Sequence, residues 1–95
     1  MQSLVELDID RILLDALYRM IIRTKGRCLI IKPKKLLKYT PLSTKPVNCA
    51  IAGAFLETLR SKGLIDLWRE SSHGKWYIIR DTSPLWKEAK KLFQY

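Results

Sequence analysis

Between Ala16 and Leu56 the chain carries nine lysines and arginines and not one aspartate or glutamate. They are Arg19, Arg23, Lys25, Arg27, Lys32, Lys34, Lys35, Lys38 and Lys45. The segments on either side cancel each other, so the net charge of +9 is the charge of this window. A positive field segregated in this way attracts a polyanion over many ångströms. The chemistry open to these side chains is ion pairing with phosphate. Lysine suits it as a mobile point charge whose arrival displaces condensed counterions.

Catalytic chemistry has no comparable footing. The chain has a single histidine, His73. It has no paired carboxylates in the basic window, no glycine-rich phosphate loop and no nucleophile spaced from a base. Ser43, Ser61, Ser71, Ser72 and Ser83 all fall at expected turns or caps, where a hydroxyl serves the backbone. No enzymatic activity, catalytic residue or cofactor is expected. Cys28 and Cys49 are too few for a disulfide framework. With His73 they make three widely spaced soft ligands without a Cys-x-x-Cys, so no metal site is expected. They read as two reduced thiols, with a disulfide as the alternative if the source is a hyperthermophile.

The elements that must position the bases follow from local signals. Ser3-Leu4-Val5-Glu6 has capping-box spacing. Acids in the first turns and Arg19, Arg23 and Lys25 near the other end suit a helix dipole, and Gly26 offers a stop. The apolar residues Val5, Ile9, Ile12, Leu13, Ala16, Leu17, Met20 and Ile21 have helical periodicity. The stripe is widened by Leu7, Leu14 and Ile22, so this helix must bury more than one face. Cys28–Ile31 predicts a strand. Pro33 predicts a short basic helix over 33–39, and Pro41, Ser43 and Thr44 predict a turn over 40–45. A third helix is expected over 46–62, with Val47, Ile51, Phe55 and Leu59 on its buried side and Gly63 at its end. The opposite side would carry Pro46, Cys49, Ala50, Gly53, Glu57 and Arg60. The segments 64–70 and 75–80 predict a hairpin around a four-residue turn, Ser71 to Gly74. Ser83-Pro84 predicts a capped last helix, with Leu85, Trp86, Ala89, Leu92 and Phe93 on one side.

Ninety-five residues with 47% apolar content fit one folded domain over 1–95. No apolar run approaches the roughly 18–20 residues that span a bilayer, so no membrane association is expected. The acidic start differs from a secretory leader, and the expected location is cytoplasmic.

The order helix, strand, helix, helix, strand, strand, helix, with Leu59-Arg60-Ser61-Lys62-Gly63-Leu64-Ile65 leading into the hairpin, resembles the winged helix-turn-helix family. The size and the Lys-, Ile- and Leu-rich composition are similar to small winged-helix proteins of archaea and their viruses. The resemblance covers about residues 8–95 and implies an α+β fold and double-stranded DNA as partner. It implies that helix 46–62 enters the major groove, that helix 33–39 braces the backbone and that hairpin 64–80 acts as the wing. The segment 40–45 is longer than the family's usual turn.

On that frame Lys32, Lys34, Lys35 and Lys38 are expected phosphate contacts. Ser43, Thr44 and Lys45, with the start of the third helix, are expected to fix the pose. Asn48 is a candidate for adenine and Cys49, with Ala50, for a thymine methyl. Arg69, Ser72, His73 and Lys75 are candidate wing contacts. Trp68, Trp76 and Tyr77 either pack on the core or stack on unpaired bases. Surplus apolar surface on the first and last helices predicts a homodimer through Ile9, Leu13, Trp86, Leu92 and Phe93. The expected function is transcriptional regulation, by repression rather than activation. Two other classes fit the same residues: a winged-helix module for protein–protein contact, and an RNA-binding module.

Overall fold

The first helix, α1 (Ile9–Arg23), buries Leu13, Ala16, Leu17, Met20 and Ile21, a stripe of helical spacing. The computed structural model describes residues 8–92. Asp8 caps α1, its side chain accepting from the Arg11 amide at 3.2 Å. The helix therefore starts five residues after the expected cap at Ser3, and the Ser3–Glu6 capping box lies outside the described residues. The stop also differs from expectation. Thr24, in extended conformation, ends α1 and donates its hydroxyl to the Met20 carbonyl, while Gly26 lies beyond the end.

The strand β1 (Cys28–Ile31) lies as expected and leads into α2 (Pro33–Leu37), which stops two residues before the expected Tyr39. The helix α3 (Pro46–Ser61) closes with Gly63 at φ +76°. The Gly63 amide donates to the Arg60 carbonyl and the Leu64 amide to that of Leu59, at 2.9 and 3.0 Å. That pair of bonds is a Schellman closure. The strands β2 (Asp66–Ser71) and β3 (Gly74–Arg80) form a hairpin whose turn is Ser72-His73 alone. The four-residue turn of the sequence reading is shorter because Ser71 and Gly74 pair, Gly74 taking φ +123°. The sheet order is β1-β3-β2, all antiparallel, with an irregularity at Trp68 between Leu67 and Arg69. Ser83 accepts from the Leu85 amide and donates to the Leu64 carbonyl, starting α4 (Pro84–Leu92) as expected and tying it to the hairpin entry. The described residues thus form a small α+β domain of four helices and a three-stranded antiparallel sheet. No helix among them is long and apolar enough to cross a membrane.

Two packing expectations are corrected. The buried side of α3 is Ala52, Leu56 and Leu59, with Ile51 and Phe55 half-buried and Val47 63% exposed. At 100° per residue the buried direction is rotated by roughly 60° from the expected one. A ladder spaced by four drifts around a helix, and the α2 side claims the difference: a Cβ on Gly53 would stand 3.8 Å from Pro33 Cγ. The second correction concerns two residues expected at a dimer interface. Leu13 is 0% and Trp86 5% exposed within one chain, because α4 lies along α1 in the same molecule. Neither has surface to offer a second copy. Ile9 is half-buried against the core, Leu92 is exposed and Phe93 lies outside the described residues.

Gly63→Ala forces a Cβ into the left-handed region and should cost about 1–2 kcal/mol. Urea unfolding followed by circular dichroism is expected to show a lower midpoint with an unchanged slope.

Candidate nucleic-acid interface

The rotation of α3 decides what that helix shows to solvent. Its exposed residues are Pro46, Val47, Ala50, Ala54, Thr58, Arg60 and Ser61. Most are small. The Thr58 hydroxyl donates to the Ala54 carbonyl and the Ser61 hydroxyl to that of Thr58, so both are committed to their own helix. Cys49, expected on this face, is half-buried and packs on the core, with its thiol 3.5 Å from the Thr44 carbonyl oxygen. Asn48 is committed too. Its Nδ2 donates to the Ser43 carbonyl at 2.9 Å and to the Ser43 hydroxyl at 3.0 Å. Both amide hydrogens are thereby used to hold the preceding turn, and an adenine edge needs one of them. Ser43, Thr44 and Lys45 themselves are exposed, and no side chain caps the start of α3.

The bases of α2 lie beside this helix. Pro33 packs near Gly53, which sets Lys34, Lys35 and Lys38, all exposed, along one flank of α3. Lys32 takes another course. Ile31 pairs with Tyr77 across the sheet, so the next residues on each strand, Lys32 and Trp76, leave by the opposite face. Lys32 Nζ sits 4.6 Å from the centroid of the Trp76 ring. Together Lys32, Lys34, Lys35, Lys38, Tyr39 and Trp76 line a shallow concavity of about 440 Å³.

The hairpin is tied to the same side of α3 one turn further on, through Glu57. The Tyr77 hydroxyl donates to the Glu57 carboxylate, Lys75 Nζ lies 3.5 Å from it and Arg60 donates to it at 3.2 Å. The Tyr77 hydrogen bond, with help from Lys75 and Arg60, holds the Glu57 carboxyl below the usual carboxylate range. Burial, then the carboxylate, push the Tyr77 hydroxyl well above its ordinary pKa. Lys75, expected as a wing contact, is thus half-committed to an ion pair inside the molecule. Arg69, Ser72 and His73 are exposed on the hairpin, where the His73 amide donates to the Ser71 hydroxyl. Trp68 is exposed, Trp76 is half-buried and Tyr77 is in the core, which removes Tyr77 from any stacking role.

The sequence reading missed the Glu57–Tyr77 tie and the Trp76–Tyr39–lysine concavity. Each joins residues from separate elements, and only the strand register brings them together. Cys28 and Cys49 are free thiols, and no group of potential metal ligands occurs among the described residues. No protein-family model, curated protein or solved structure matches the chain.

Glu57 has a depressed folded-state pKa, so its contribution is complete above the unfolded carboxylate value, about 4.3. It is lost as pH falls through the lower folded value. Tyr77→Phe removes the main cause. Because the Glu57 side chain is 38% exposed, the expected cost near neutral pH is about 1 kcal/mol. Urea midpoints measured across acidic pH should show this difference between the two proteins shrinking once Glu57 is protonated.

Proposed function

We propose that this chain binds double-stranded DNA as a winged helix-turn-helix domain and regulates transcription by occupying a promoter. The observation that carries the reading is the electrostatic setting of α3. Its one acid, Glu57, is neutralised by Arg60 and Lys75. Lys34, Lys35 and Lys38 are exposed on α2, which packs on α3 at Gly53, and the hairpin meets the same side of α3 one turn on, at Glu57. The packing of α2 on α3 and the tie of the hairpin to α3 at Glu57 support the same frame, in which α3 enters the major groove with the hairpin beside it.

The proposed contacts are mainly to the backbone. Lys34, Lys35 and Lys38 take phosphates, and Thr44, Lys45 and the uncapped start of α3 fix the pose. Arg69, Ser72 and His73 touch the adjacent groove. Within the major groove Val47, Ala50 and Ala54 offer methyl groups to thymine, and no long polar side chain is free for a bidentate base contact. Affinity is therefore proposed to be phosphate-dominated, with specificity resting on DNA shape and thymine methyls. Repression fits, since it needs only occupancy. With Leu13 and Trp86 inside the monomer, a single copy is taken as the binding unit.

Salt titration of duplex binding should give a steep linear dependence of log affinity on log salt. Lys34, Lys35 and Lys38→Ala together should lower the slope by about 3 and weaken binding at least about tenfold near physiological salt. A flat slope, or unchanged affinity in the triple variant, would favour the protein-interaction module. Preference for duplex RNA in competition would favour the RNA-binding reading. Selection from a random duplex pool is expected to yield shape-biased, thymine-containing sites. Enriched paired half-sites about one helical turn apart would overturn the single-copy unit.

A further inference from the structure

The concavity between α2 and β3 joins three lysines of the proposed duplex contact, Lys34, Lys35 and Lys38, to three groups outside it, Lys32, Tyr39 and Trp76. Of its six lining residues, four are lysines and two are the aromatic residues Tyr39 and Trp76, with no acid among them. Its volume is about 440 Å³. Among the described residues, ion pairs engage Arg19, Arg60, Lys75 and Arg80, and none of these four lysines. Of these four lysines Lys32 has a side-chain partner among the described residues, the Trp76 ring at 4.6 Å.

That contact is exchangeable. An ammonium over a partly exposed indole is weakly held, and an arriving phosphate competes for it with a charge-assisted hydrogen bond. Moving Lys32 to the phosphate uncovers the face of the Trp76 ring. A planar base can then stack where the ammonium sat. Tyr39, 38% exposed, supplies a second ring at the same opening. An anion without an aromatic part would use the lysines and leave both rings idle.

We infer that this concavity is a nucleotide site, holding one nucleoside phosphate. The base lies against Trp76 and Tyr39, and the phosphate lies among Lys32, Lys34, Lys35 and Lys38. The nucleotide comes from one of two sources, a free mononucleotide or an unpaired nucleotide extending from a DNA duplex. Only the second source rests on the DNA-binding proposal.

Isothermal titration of the full chain separates these outcomes. Deoxyadenosine monophosphate should bind about tenfold more tightly than deoxyribose 5-phosphate, which has the same charge and no base to stack. Trp76→Leu and Tyr39→Ala should each erase that difference; Tyr39→Ala, at an exposed position, keeps the test if Trp76→Leu does not fold. A duplex with a short unpaired extension should bind about tenfold more tightly than the blunt duplex, and removing the bases from the extension should cancel the gain. Discrimination between the two small ligands without a gain from the extension assigns the site to free nucleotide. Equal binding of the two small ligands with no gain from the extension overturns the site and leaves duplex binding standing. Failure of duplex binding with intact mononucleotide discrimination overturns the DNA reading and leaves the site.

Discussion

The stripe Leu13, Ala16, Leu17, Met20 and Ile21 on α1 is the surface on which every other helix rests. α4 covers it with Leu85, Trp86 and Ala89, α2 brings Leu36 and Leu37, and α3 adds Ala52, Leu56 and Leu59 to the same cluster. Each large apolar side chain removed from water stabilises the fold by about 1.5–3 kcal/mol. A polar device secures the closure. Lys90 on α4 donates to the carbonyls of Ile22 and Thr24, satisfying orphan acceptors at the end of α1. Because α2 and α3 share this one support, the basic helix and its small-faced neighbour keep a fixed relation to each other. That relation is what the proposed DNA contact requires.

Charge is arranged around the same frame. Eight of the nine bases in the acid-free window lie outside α3 and before it, with the ninth, Lys45, at its threshold. The single acid on α3, Glu57, is absorbed by Tyr77, Lys75 and Arg60. The carboxylate thus performs a mechanical task, fastening hairpin to helix, without making the surface negative. The cost is one hairpin base, Lys75, drawn partly inward. Lys32 is also withdrawn, onto Trp76, so the lysines in and around the second helix divide between three that face solvent and one that lies over an aromatic ring.

Much of the fold was legible wherever the signal was local. The run Cys28–Ile31 is the strand it was expected to be, Pro33 and Pro46 start their helices, Gly63 closes α3 and Ser83 caps α4. Less of the site was legible. Asn48 has the chemistry of an adenine contact, yet its amide holds Ser43. Cys49 has the size of a methyl partner, yet it faces the core. Leu13 and Trp86 have the look of an interface, yet both are buried in the core of one chain. In each case the neighbour that the side chain meets within the chain lies on another turn or element, which residue type alone does not reveal.

The sequence by itself determined the charge segregation, the kinds of elements and most of their ends. These depend on residue identity and on neighbours within one or two turns, through capping, the fixed φ of proline and the freedom of glycine. The tertiary structure decided which side of α3 is buried, where the surplus apolar surface of α1 goes and which bases remain free for a polyanion. A helix apolar on several sides has several solutions for burial. The choice among them is made by the closest packing of distant segments, here Pro33 against Gly53 and α4 against α1. The acid-free window was therefore visible at once as a segregated positive charge. Only the packing set its lysines beside a smooth helix on one side and an aromatic concavity on the other.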